Sequence, residues 1–176
     1  MNSHEVKFIL DADVDIEMNN KLIEILSICF ADQPIFNKQR YFKELPQYRW
    51  YLENNNEIIG HVALHKKEIN TETTKLIIGG IAEVCVHPDH RGKGFVKLLL
   101  SHAHNFSIKN GYIFSMLFGD TNVYSSSGYK TIDNTIKYLD HISGEWKVEI
   151  IKDAMIKDIS DVEWPSGLIN LNGPTF

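Results

Sequence analysis

From Ile81 to Leu100 the chain reads IAEVCVHPDHRGKGFVKLLL. A β-branched apolar run holds a single carboxylate, Glu83, which packing alone does not call for. A proline, two glycines separated by a lysine, and an apolar helical stretch follow. The whole chain carries 18 basic and 23 acidic residues, a net charge of -5, yet Arg91, Lys93 and Lys97 face only Asp89 between residues 86 and 97. A turn after a strand leaves the first N–H groups of the next helix unpaired, and an anion can satisfy them. Glycine at 92 and 94 clears side chains from that backbone, while Arg91, Lys93 and the helix dipole favour negative charge. The stretch therefore has the composition of a pyrophosphate cradle. It is neither G-x-x-x-x-G-K-[ST] nor G-x-G-x-x-G.

The elements that must position these residues follow from apolar periodicity and turn signals. Residues 6–10 read as a strand, and Asn20 leads into a helix over 21–30 with apolar positions at 22, 23, 25, 26, 28 and 30. A second short helix is expected over 38–45, ended by Pro46. Strands over 48–53 and 57–69 flank Asn54-Asn55-Asn56, a tight-hairpin signal. Residues 75–86 form a central strand with a bend, bulge or close backbone approach at Gly79-Gly80. A helix from Gly94 to about Lys109, stopped by Asn110-Gly111, and a strand over 112–118 complete a right-handed strand, helix, strand unit with parallel strands. Residues 121–128 read as a short helical turn and 129–132 as a strand. Residues 136–140 and 146–151 pair as a hairpin, and the last segment, WPSGLINLNGPTF, is turn-rich.

V-x-P-x-x-R-G-K-G after a strand, with Arg91 and Gly94 spaced R-x-x-G, resembles the acyl-CoA loop of the GCN5-related N-acetyltransferases (GNAT). The later VYSSSGY resembles that family's F-Y-x-x-x-G-F/Y segment, where a tyrosine stands near the leaving sulfur. The resemblance covers roughly residues 5–132. It implies an α/β (α+β) fold, with a mixed central sheet of six to seven strands, helices on both faces and a splayed central parallel pair. Residues 1–176 then form one acyl-CoA N-acyltransferase domain, with 136–176 as an extension.

The implied activity is transfer of an acetyl group from acetyl-CoA to a primary amine by direct attack in a ternary complex. Backbone groups of Val84, Cys85 and Val86 would bond the pantetheine arm, and an N–H near Cys85 or Val86 would stabilise the oxyanion. Arg91, Gly92, Lys93, Gly94, Phe95 and Val96 would hold the pyrophosphate. Val96 departs from the small residue the family loop usually has there, and its branched side chain either crowds the phosphate or turns toward the sheet. An amine is protonated at neutral pH, so a base is needed, and Glu83 is its candidate. Tyr124 is the candidate acid, since a phenol with a pKa of about 10 can donate to the departing thiolate. Glu83's position and the tail are also similar to those of aminoglycoside 2'-N-acetyltransferases, whose chain end approaches the acceptor. A fold-back would bring Phe176 or its carboxylate to the substrate; a strap over an edge strand is the plainer expectation. A non-catalytic CoA-binding sensor is the alternative, and it has no use for Glu83 and Tyr124.

The remaining chemistry is bounded by exclusion. Net charge argues against nucleic acid and tolerates a cationic small-molecule amine, with Asp32, Glu44 and Glu53 near the acceptor region. Cys29 and Cys85 read as buried thiols without a disulfide framework. The histidines at 87, 90, 102 and 104 invite a zinc reading, but His102 and His104, two apart on a helix, cannot both point one way, and no metal is expected. Ser125, Ser126 and Ser127 lack a nucleophile elbow. No apolar run is long enough to span a bilayer and no secretory signal is visible, so a cytoplasmic protein, monomer or homodimer, is expected.

Overall fold

The computed structural model describes residues 5–176, and its contacts divide them into two compact units. One comprises residues 5–65 and Ala82–Ala103; the other comprises Lys66–Ile81 and His104–Phe176. Ten strands occur among the described residues, more than the six or seven expected. The parity of their side chains explains most of them.

In the first unit, β1 (Val6–Leu10), β2 (Tyr48–Asn54) and the opening of β3 (Glu57–Asn70) form an antiparallel meander. Asn55 and Asn56 join β2 to β3 with φ of 49° and 68°, the left-handed turn that asparagine tolerates and a twisted hairpin demands. Helix α1 (Ile16–Cys29) begins earlier than expected, because the Asp15 side chain, rather than Asn20, caps it by accepting from Met18 N at 2.8 Å. Its Leu22, Ile25 and Leu26 pack with Phe36, Tyr51, Ile58 and Cys85. The short helix expected over 38–45 does not form; a 3₁₀ turn at Pro34–Asn37 precedes an irregular segment. Helix α2 (Phe95–Lys109) starts in this unit.

The second unit holds the parallel pair. Strand β4 (Lys75–Val86) pairs with β5 (Phe114–Phe118) at Ile78↔Phe114, Gly79↔Ser115 and Gly80↔Met116. After α3 (Thr121–Tyr124), β6 (Lys130–Thr131) and β9 (Ala154–Asp158) extend the β5 side, while β7 (Thr135–Leu139) and β8 (Trp146–Ile150) form the expected hairpin. Strand β9 lies in AMIKD, which sequence reading left unassigned. The tail is no strap over an edge: β10 (Ile169–Asn170) lies inside the sheet, antiparallel to β3 and parallel to β7. Ile69, Ile78, Phe114, Met116, Ile136, Ala154, Ile156, Ile169 and Leu171 make its core.

At Gly80 the close neighbour is a side chain rather than the backbone expected at the glycine pair. A Cβ there would stand 2.9 Å from three ring carbons of Phe176, and that ring also packs on Phe118 at 5.2 Å between centroids. The tail thus does fold back, onto β4 and β5. Gly80→Ala is expected to destabilise the protein by about 1–3 kcal/mol through overpacking. In a Phe176→Ala background the same substitution should cost far less. Urea unfolding of the four proteins checks this, and an equal cost in both backgrounds would refute it.

Candidate functional site

Glu83 stands where β4 breaks its own regularity. Its φ is +52°, a left-handed conformation that costs a non-glycine residue roughly 1–3 kcal/mol and persists only where surroundings over-determine it. The irregularity of β4 is therefore at Glu83, whereas Gly80 serves close packing. Three interactions hold Glu83. Phe42 N donates to Oε1 at 2.9 Å, Arg49 Nη1 donates to Oε2 at 3.1 Å, and the Glu83 carbonyl lies 3.0 Å from His61 Nδ1. A carbonyl only accepts, so Nδ1 carries the hydrogen and Nε2 offers its lone pair to Arg49 Nη1 at 3.1 Å.

Arg49 is fully buried in β2, two positions across the ladder from His61. Its Nε donates to Asp11 Oδ1 at 2.7 Å and its Nη2 to the Arg40 carbonyl at 3.0 Å. Arg40 in turn donates to both Asp11 oxygens, at 3.0 and 2.8 Å, and to Asn19 Oδ1 at 2.9 Å. These bonds explain the missing helix over 38–45. The Arg40 carbonyl and the Phe42 N–H, backbone groups a helix would use, are taken by Arg49 and Glu83.

The cluster sets its own protonation. Burial would raise Asp11, but the hydrogen bonds of Arg40 and Arg49 outweigh it and hold the carboxyl low. Burial pushes Glu83 up to about 7, against the pull of Arg49 and the Phe42 N–H. Burial, with Arg49 beside it, lowers His61 to about 3, in keeping with the neutral tautomer above. Glu83 is thus a carboxyl whose proton moves near neutrality.

Val84, Cys85 and Val86 carry β4 on to its end, followed by the turn at Pro88–His90. Gly92 and Gly94 have φ of 74° and 77°, where glycine is the residue without a steric penalty, and a Cβ at either would meet no atom within 4 Å. This open backbone runs directly into α2 at Phe95. Lys93 is exposed and Val96 half-buried. The Arg91 side chain turns back toward β4, its Nε donating to the Val86 carbonyl at 3.2 Å. The same guanidinium reaches Cys29, whose thiol is lowered first by a hydrogen bond from Cys85 and further by Arg91, while Cys85 is raised well above its ordinary range by that bond and by burial. Of the acidic residues expected from the sequence to lie near an acceptor, Glu53 is paired with Lys7 and Lys21, and Asp32 and Glu44 are exposed.

Tyr124 belongs to the second unit. Asp120 caps its short helix by accepting from Asn122 N at 2.8 Å. The ring lies against Gly119, where a Cβ would sit 2.5 Å from Cε2, and meets Tyr129 edge-on at 6.1 Å between centroids. The Tyr129 hydroxyl is buried between His104 Nε2 and Ser115 Oγ, each at 2.7 Å. His104 therefore serves this packing.

Sequence reading placed Glu83 and the glycine loop but missed Arg49, Asp11, Arg40 and His61. The available signal was Arg49 itself, an unpaired charge inside the apolar run YRWYL, the mirror of Glu83 inside IAEVCV.

A family model, the acetyltransferase (GNAT) domain, matches residues 14–132. A search of curated proteins returns no match. Among solved structures, the chain is similar to the GNAT family N-acetyltransferase YhbS of Escherichia coli in complex with CoA. Identity is 14%, the alignment covers 97% of this chain and 92% of that one, and the TM-score is 0.68. A GNAT family acetyltransferase from Brucella melitensis in complex with acetyl-CoA matches at 13% identity, 94% and 95% coverage and a TM-score of 0.61. ElaA of Escherichia coli matches at 15% identity, 88% and 99% coverage and 0.61. At these identities the likeness is one of fold.

The buried cluster generates two expectations. Arg49→Met, which takes the guanidinium from buried Glu83 and leaves Asp11 to Arg40 alone, should cost about 3–5 kcal/mol in chemical denaturation. The second concerns pH. With a folded pKa of about 7 against an ordinary 4.5, Glu83 keeps a proton that the unfolded chain has released, so its contribution is complete below 4.5 and is lost as pH rises through 7. His61 acts with opposite sign between about 3 and 6.5. Relative to Glu83→Gln, the wild-type melting temperature should therefore fall from about pH 5 to about pH 8; parallel profiles would refute the assignment.

Proposed function

Because the chain belongs to the GNAT acetyltransferase family, we propose that it transfers an acetyl group from acetyl-CoA to a small primary amine by direct attack. The observation that carries this reading is the Gly92–Gly94 backbone, both glycines at positive φ and open to a ligand, at the start of α2. Such a nest suits a pyrophosphate. Its N–H groups from Arg91 to Val96 would hold the phosphates, with Lys93 supplying charge. Arg91 tethers the loop to β4 through Val86. Backbone groups of Val84, Cys85 and Val86 would bond the pantetheine arm, and an N–H among them would meet the carbonyl oxygen as it gains charge.

The thioester supplies the acetyl carbon; the chain moves the protons. Glu83, with a pKa of about 7, takes a proton from the ammonium, directly or through water, and frees the nitrogen lone pair for attack. The new C–N bond forms as the C–S bond breaks; the nitrogen gives up its second proton to water, Tyr124 donates the proton that the departing thiolate needs, and the phenolate regains one from water. Both Glu83 oxygens already accept one hydrogen bond each, which leaves a lone pair on each for this task. The same two bonds favour a second reading, in which Glu83 only braces β4 and the domain binds CoA without turning it over.

Calorimetry with acetyl-CoA and desulfo-CoA, followed by thiol release against polyamines, aminoglycosides, amino acids and peptides, separates the two. Binding with thiol release on one amine class supports transfer; binding without release on any class supports the second reading. For the active amine, kcat/KM should rise with pH through about 7, and Glu83→Gln should abolish that rise while lowering kcat/KM about 10²-fold or more. Tyr124→Phe should lower kcat at least about tenfold. Full activity of either variant would remove its residue from the mechanism.

A further inference from the structure

Strand β8 ends the hydrogen-bonded strand order of the second unit, with β7 as its only neighbour in that order. Its ladder to β7 runs from Thr135↔Ile150 to Leu139↔Trp146 without a bulge. All five of its residues are exposed. Trp146, Val148 and Ile150 alternate onto one face and are 51%, 57% and 59% exposed. Lys147 and Glu149 occupy the other face, paired within the chain to Asp140 and to the Tyr138 hydroxyl. Natural edge strands are usually blunted by proline, bulges or inward charges. WKVEI has no proline or bulge, and its two charges are opposite in sign.

We propose that β8 is the edge along which two copies of this chain associate, antiparallel, about a two-fold axis through Val148. The charge pattern selects that partner and that register. With Val148 on the axis, Lys147 stands opposite the partner's Glu149, and symmetry repeats the pair. Trp146 stands opposite the partner's Ile150, so large apolar side chains meet on one face. Moving the axis to Lys147 or to Glu149 sets like charge against like. An odd offset sets apolar side chains against charged ones on the same face. A five-residue segment that complements itself in charge and in apolar pattern under a two-fold operation is what an isologous interface requires. The stripe of half-exposed Trp146, Val148 and Ile150 is then covered in the dimer. None of these residues belongs to the site described above.

Sedimentation velocity of the full chain, from about 1 to about 100 µM, tests the assignment. The wild type should sediment as a dimer at the upper end. Val148→Lys places two ammonium groups at the axis and should raise the dissociation constant about tenfold or more without lowering the melting temperature. Lys147→Glu should weaken association, and Lys147→Glu with Glu149→Lys should restore it, since the swapped pattern is again self-complementary. A wild-type monomer throughout, a dimer indifferent to Val148→Lys, or a double variant no tighter than Lys147→Glu would each overturn the proposal. The Val148 comparison leaves the Lys147–Asp140 pair intact, so it reads the edge rather than the fold of the hairpin.

Discussion

A fully buried guanidinium governs the first unit. Arg49 cannot be left unpaired in an apolar interior, because the desolvation of a charge costs several kcal/mol and is offset only by well-placed acceptors. Its acceptors come from four places in the chain: Asp11 after β1, the Arg40 carbonyl before β2, His61 on β3 and Glu83 on β4. None of them is local in sequence. The strands and the irregular segment over 38–47 must therefore reach their places together, and the apolar cluster around α1 closes beside an already specified polar one. Hydrophobic burial supplies most of the stability of such a unit, while the ion cluster selects the arrangement in which every buried charge is answered.

The same cluster produces two opposed titrations from one environment. Burial moves a carboxyl up and an imidazole down, so Glu83 titrates near neutrality and His61 remains neutral through it. Asp11, with two guanidinium groups rather than one, stays ionised. This division places the exchangeable proton on the residue whose backbone is also strained, at the point where β4 runs toward the glycine loop. Strain and a raised pKa at one residue share a cause: the surrounding bonds fix both the backbone conformation and the side chain's loss of water.

Much of this was legible in the sequence. Alternation gave β2, β3, β4 and the β7–β8 hairpin, two asparagines gave the turn, and the Arg91–Val96 stretch announced a loop before a helix. These signals are local. Arg49 and Glu83 were each visible as a charge in an apolar run, but their pairing spans 34 residues, and no local pattern reports it. The short helix expected over 38–45 failed because tertiary partners captured its backbone groups. Strands β9 and β10 escaped notice because their short runs alternate weakly and draw their stability from neighbours distant in the chain.

The position of β10 bears on how the chain can be made. Asn170 pairs with Asn70 and with Lys137, Asn172 donates to the Glu68 carbonyl across 104 residues, and Leu171 N donates to the Lys137 carbonyl. Synthesis runs in the other order: β3 and β7 are polymerised before residues 169–173. Until residues 169–173 insert, both strands present open N–H and C=O groups toward the place their common neighbour will occupy. The second unit is completed by a late insertion, and the nascent chain carries two adhesive edges until the insertion occurs. The vulnerable state of this unit is therefore the one in which β3 and β7 are formed and β10 is not yet inserted.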